Sequence, residues 1–258
     1  MLITFDSNVW QQVVSPEKSP EDPQLNLYNK IHSLIRSGSL KGRLSETIFT
    51  YEAIKRKDRP YFLSQVKLGL ELLSEIEDEE TITFSFLIFS DPSAHIRNNE
   101  YLRLYLEDAR NLGFEIMECP RIGKIINTDV PPDLYAQLNL TVDEVFSSIV
   151  NDLEARGLGS SWARAIGEKY KEENQTWLNG LGNAPESERS RIIKAVAEWA
   201  DGDSVAAHIA FGNNLFCTLD QGKGAGSASI LSPKNKLWLQ SKYQVKFVTP
   251  QELCKLMS

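Results

Sequence analysis

Short apolar runs alternating with segments of helical spacing constrain this chain most. Residues 2–5 (Leu-Ile-Thr-Phe), 42–46, 114–119, 215–219 and 245–248 read as strands, and Thr81–Phe89 alternates Ile82, Phe84, Phe86 and Ile88 with mostly smaller or polar residues. Leu25, Leu27, Ile31, Leu34 and Ile35 recur as on a helix that stops at Ser37-Gly38. Helices are also expected from Thr47 to about Arg56, over 61–75 (Leu63, Val66, Leu70, Leu73) and over 98–111. Strand, crossover helix and strand in repetition make a parallel sheet, so the expected fold is α/β: three layers, α/β/α, around a central parallel sheet.

The rhythm changes between 123 and 186. Val130-Pro131-Pro132, Gly-Ser and Gly-Asn punctuation, and helical spacing at Val145, Ile149 and Leu153 and at Trp162, Ala165 and Ile166 suggest a mainly helical insertion. The main domain would then comprise 1–122 and 187–258. Within its second part, a helix to Trp199, a break at Asp201-Gly202-Asp203, an Ala-rich helix to Phe211, a Gly-rich loop at 222–226, a helix near 234–241 and a terminal helix opening at Pro250 are expected.

Composition narrows the function classes. The chain has 258 residues, 41% apolar and 24% charged, enough to bury a core without staples. A net charge of −7 gives no global attraction to nucleic acid or anionic membrane, so such contacts need a local basic patch or metal ions. Cys119, Cys217 and Cys254 are far apart and form no zinc spacing or disulfide framework, and Cys119 and Cys217 sit inside apolar runs, which suggests buried thiols in a reducing compartment. No apolar run reaches membrane-spanning length and Asp6 interrupts the first one, so the chain is expected to be cytoplasmic, with no membrane partner.

In a parallel sheet, ligands bind beyond the carboxyl ends of the strands. Asp6 follows the first strand and Asp220 the run Leu215–Leu219; Asp203 is expected at the start of the helix feeding that run, and Glu52 early in the helix after the second strand. Crossover helices start at this same edge, so topology brings four carboxylates together. Close carboxylates repel, and one or two Mg²⁺ or Mn²⁺ ions would relieve that repulsion through hard-oxygen ligands. Such ions can activate water and stabilise a leaving oxygen in phosphodiester hydrolysis.

Five segments resemble the PIN-domain nucleases: Ile3-Thr4-Phe5-Asp6-Ser7-Asn8, Ser45-Glu46-Thr47-Ile48-Phe49-Thr50-Tyr51-Glu52-Ala53, Asp203-Ser204-Val205-Ala206-Ala207-His208-Ile209-Ala210, Leu215-Phe216-Cys217-Thr218-Leu219-Asp220 and Val248-Thr249-Pro250-Gln251-Glu252-Leu253. The resemblance covers roughly 1–75, 112–121 and 187–258, not 123–186. It implies a metal-dependent endoribonuclease with Asp6, Glu52, Asp203 and Asp220 as metal ligands and catalytic acids. Glu46, at the expected strand end, is the alternative second acid. RNA rather than DNA as substrate comes from the resemblance alone. A non-catalytic RNA- or protein-binding module, or the toxin of a toxin–antitoxin or antiphage pair, stays open beside it. So do an antitoxin or other protein as partner at the insertion, and a homodimer.

Each acid has a plainer role when taken singly: Asp203 suits a helix N-cap, Asp6 and Asp220 suit turns, and Glu52 suits a solvated helix face. Their joint placement favours a site. Ser7, Asn8 and Thr218 can bond the carboxylates or serve the turn backbone. Lys55, Arg56, Lys57 and Arg59 are candidates for tracking phosphates, with Lys41, Arg43 and Lys223 weaker ones; a helix end also attracts cations without any ligand. Trp162, Trp177 and Trp199 could stack bases, but packing is the readier role, and His208 is read as a packed or surface residue.

Overall fold

The structure is a computed structural model that describes residues 1–48, 63, 68–76, 82–90, 100–119, 121, 132–137, 140–222, 226 and 229–257. Its strands are β1 (Leu2–Phe5), β2 (Lys41–Ser45), β3 (Leu68–Ile76), β4 (Ile82–Ser90), β5 (Glu115–Met117), β6 (Leu215–Cys217) and β7 (Phe247–Val248). Its α-helices are α1 (Trp10–Val14), α2 (Leu25–Arg36), α3 (Glu100–Asn111), α4 (Leu140–Ala155), α5 (Ser161–Tyr170), α6 (Trp177–Asn183), α7 (Arg189–Ala210), α8 (Pro233–Tyr243) and α9 (Pro250–Leu256).

Five strands form one all-parallel sheet in the order β5-β2-β1-β6-β7. Register pairs Ile3 with Gly42 on one side and with Leu215 on the other. The chain builds outward from β1 through β2 to β5, then returns to β1's other flank and builds outward through β6 to β7. The direction of winding therefore reverses between β1 and β6, which is the switch point where parallel sheets open a crevice at their carboxyl edge.

Alternation along the strands sends side chains to two cores. Ile3, Phe5, Leu44, Ile116, Leu215, Cys217 and Val248 face a core shared with α1, α2, α3 and α9. Met117, Cys119 and Phe216 face the other, shared with α4, the second half of α7 and Leu239 of α8. Thr4 points to that second face, where its hydroxyl meets His208 Nδ1 at 2.7 Å. Helices on both faces of the sheet make the three-layer α/β/α fold. A third core joins α5, α6 and the first half of α7 with Leu63. Here backbones touch: a Cβ on Gly167 would lie 2.0 Å from the Trp177 carbonyl oxygen, and one on Gly180 2.0 Å from that of Gly167.

Within 123–186 the described α-helices are α4, α5 and α6, Tyr135 forms a parallel bridge to Ile116 of β5, and α4 takes part in the main sheet's second layer through Phe146, Ile149, Val150 and Leu153. The terminal helix opens at Pro250 with a reciprocal Thr249–Glu252 capping box.

Two expectations are corrected. The helix over 61–75 gives way at 68–76 to β3, which pairs antiparallel with β4 from Leu68↔Ser90 to Ile76↔Ile82 as a separate two-stranded sheet. Leu68, Leu70 and Leu72 have the spacing of a strand, and in so short a leucine run that period overlaps a helical one. The break at Asp201-Gly202-Asp203 does not occur: α7 runs through it unbroken, so Asp203 sits mid-helix and caps nothing. Gly202 serves a close approach instead, since a Cβ there would lie 2.9 Å from the Gly159 Cα.

Candidate functional site

The end of β1 delivers Asp6 to the switch point, and the turn after β6 delivers Asp220 beside it. Asp6 is 6% exposed and strongly organised. Its Oδ1 accepts from the Ser7 N–H (2.7 Å), and its Oδ2 accepts from Asn8 Nδ2 (2.9 Å) and from the Thr218 hydroxyl (2.6 Å). Thr218 also accepts from the Asp220 N–H (2.9 Å), while Asn8 Oδ1 accepts from the Leu219 N–H (3.0 Å). Ser7, Asn8 and Thr218 thus tie the two strand ends together around one carboxylate.

Burial pushes the Asp6 carboxyl above the usual carboxylate range, and the Asp220 charge adds to the rise. The hydrogen bonds from Thr218, Ser7 and Asn8 oppose it. Asp220 is half-buried, with Oδ1 accepting from the Gly222 N–H at 2.6 Å. The result is a pair of acids whose charges oppose each other in a partly dry crevice.

The other expected acids stand differently. Asp203 is 1% exposed; its Oδ2 accepts from Trp199 Nε1 (3.1 Å), and its Oδ1 faces Arg121 Nε at 3.6 Å. Arg121 in turn pairs with Glu154 at 2.8 Å. Glu46, just past β2, is also buried, accepting from the Cys119 N–H (2.8 Å) and the Tyr135 hydroxyl (3.0 Å). Both acids lie close enough to Cys119 for their charges to help burial push its thiol up. Glu52 lies outside the described residues, as do Lys55, Arg56, Lys57, Arg59 and Lys223. Among the described residues no three His, Cys, Asp or Glu side chains close on one point as a metal cage would. What the fold brings together is Asp6 with Asp220.

Lys41 and Arg43 do not belong to this edge. They sit at the start and middle of β2 and both pair with Glu115 at the start of β5, Arg43 Nη2 at 2.9 Å. Arg43 Nη1 also donates to Asn213 Oδ1 (2.8 Å), ahead of β6. Parallel register therefore turns them toward the amino end of the sheet, opposite the acids.

The structure adds two groups. Glu198 on α7 is 7% exposed and accepts from the Ile230 N–H (3.0 Å). Burial pushes its carboxyl up to about 7, with the Asp220 charge contributing. Lys236 on α8 donates to the Asp220 carbonyl oxygen (2.6 Å); burial holds its ammonium below the ordinary lysine range, against the charges of Asp220 and Asp6. Glu198 had a sequence signal: on an unbroken helix it falls within the apolar positions Ala195, Val196, Trp199 and Ala200. Lys236 had none.

The tryptophans pack. Trp199 is buried against Trp177, with ring centroids 5.2 Å apart, and Trp162 lies on the same core. His208 is a core residue, and burial depresses its imidazole to about 3. No helix among the described residues is long and apolar enough to cross a membrane. Comparison of the chain with protein-family models, with curated proteins and with solved structures finds no match.

Proposed function

We propose that this chain is a PIN-type, Mg²⁺- or Mn²⁺-dependent endoribonuclease whose cation is held between Asp6 and Asp220. The observation that carries the reading is the position of that pair: two carboxylates on neighbouring strand ends at the point where the winding of the sheet reverses. Their donor set fits a hard cation, since Mg²⁺ is commonly held by one or two carboxylates and completes its shell with water and phosphate oxygens.

When bound, the cation supplies charge neutralisation and polarises water and phosphate. The chain's residues do the rest. Thr218, Asn8 and the Ser7 N–H hold Asp6 in one orientation, while Oδ1 keeps acceptor capacity for the ion. Lys236 places a positive charge beside the Asp220 turn, suited to an incoming phosphate. Glu46 and Asp203 add negative charge behind the edge, and Glu52 is the candidate for a further ligand. The choice of RNA rests on the resemblance of the five segments.

One observation favours a rival, a non-catalytic module that binds RNA or protein: Glu46 and Asp203 already meet protein donors. Labelled single-stranded RNA incubated with Mg²⁺, Mn²⁺ or EDTA separates the two. Cleavage should require the ion and should drop about a thousandfold in the Asp6→Asn/Asp220→Asn double variant, with the fold retained. A double variant that cuts as well as the wild type would end the hydrolase reading.

A further inference from the structure

Beside Asp220 the surface opens into a groove of about 710 Å³ between the turn Gln221-Gly222 and the start of α8, with Leu231, Pro233, Lys234 and Lys236 on its wall. Its frame is rigid. Gly222 has φ +67°, and a Cβ there would lie 2.4 Å from the Ser232 N, so the turn rests directly on the residue that caps α8. Asn235, itself buried, donates to the Ser229 carbonyl oxygen at 2.7 Å and fixes the preceding turn.

The charge in this groove runs against its surroundings. The chain carries −7 overall, yet two lysines stand in the first turn of α8, where the helix dipole favours anions. Lys234 is exposed and makes no ion pair among the described residues. Lys236 is half-buried, bonded to the Asp220 carbonyl oxygen, and close enough to Asp6 and Asp220 to feel both charges. An anionic group lying across the two ammonium groups would offset the unfavourable dipole and end next to the acid pair. Leu231 is buried in the second core behind the groove, and the exposed Pro233 ring provides the apolar surface against which a base can lie.

We propose that this groove takes one nucleotide of a single-stranded nucleic acid, its phosphate on Lys234 and Lys236 and its base against Pro233, with the adjoining phosphodiester reaching Asp6 and Asp220. This extends the hydrolase reading, on which it depends for the fate of the strand but not for its binding. The test is fluorescence anisotropy of a short labelled oligouridylate with the full chain in Ca²⁺ buffer, across a salt series. Lys234→Gln and Lys236→Gln should each weaken binding about fivefold in 0.1 M salt and each lower the slope of log affinity against log salt, the double variant losing about 0.7, the share of one single-strand phosphate contact. Lys236→Arg should restore the slope. A merely structural lysine would change stability and leave that slope alone.

Equal slopes in the wild type and in the exposed-site variant Lys234→Gln overturn the proposal, as does a wild type that does not bind. A wild type that binds with the predicted slopes but leaves RNA uncut in Mn²⁺ upholds the groove and removes the hydrolase. A wild type that cuts while both glutamine variants bind unchanged does the reverse.

Discussion

Replacing Glu198 by Gln should stabilise the fold above neutral pH and change little near pH 4. The carboxyl is buried beneath the 229–232 turn and accepts the Ile230 N–H; burial first, and then the Asp220 charge, moves it from 4.5 to about 7. The folded protein therefore keeps a proton that the unfolded chain releases between those values. Stability contributed by the protonated form is complete below 4.5 and is lost as pH rises toward 7. The full interval corresponds to about 3 kcal/mol, and solvent at the neighbouring groove reduces this to about 2 kcal/mol. Gln keeps the shape and an acceptor for Ile230 but never ionises. Urea melts of both proteins between pH 4 and pH 8 should nearly coincide at the acid end and diverge by about 2 kcal/mol at pH 8, or about 4–8 °C in Tm for a chain of this size. A gap that does not change with pH, or a variant less stable at pH 8, would refute the reasoning.

Other predictions rest on separate contacts. Burial depresses His208 to about 3, so its neutral form supports the fold above 6.5 and that support, about 5 kcal/mol, drains away as pH falls toward 3; nitrogen-15 NMR should find the ring neutral at pH 5, and His208→Gln should flatten the acid limb of the stability curve. Gly167→Ala should cost about 3 kcal/mol or more in urea melts, because its Cβ would meet backbone that cannot give way. Trp199→Phe should cost about 1–3 kcal/mol by removing a donor from the buried Asp203 carboxylate, measured the same way.

How far the fold could be read from residues depended on the range of the forces involved. β1, the helix after Pro250 and the parallel sheet follow from local alternation and capping, and all are present. Asp6 and Asp220 could be placed because Asp6 directly follows β1 and Asp220 lies in the turn that follows β6, and the crevice between β1 and β6 then follows from strand order. The unbroken α7 could not be read, because Asp201-Gly202-Asp203 looks like a loop until Gly159 is known to press on Gly202. With the helix continuous, Glu198 becomes a buried acid and Asp203 a residue held by Trp199 and Arg121. Lys41 and Arg43 show charge in the sequence, but only their register against Glu115 tells which edge of the sheet they serve. Lys236 is brought to Asp220 by the packing of α8, a contact that no local pattern marks.

The central claim is that Asp6 and Asp220 together hold a divalent cation, and titration calorimetry with Mn²⁺ addresses it without assuming any substrate. The wild-type chain should show saturable Mn²⁺ binding that raises its Tm, with about 2.7 kcal/mol of added stability at a hundred times the dissociation constant, and the Asp6→Asn/Asp220→Asn variant should show neither. A wild type that gives no binding heat, or a double variant that binds Mn²⁺ as tightly, would contradict it.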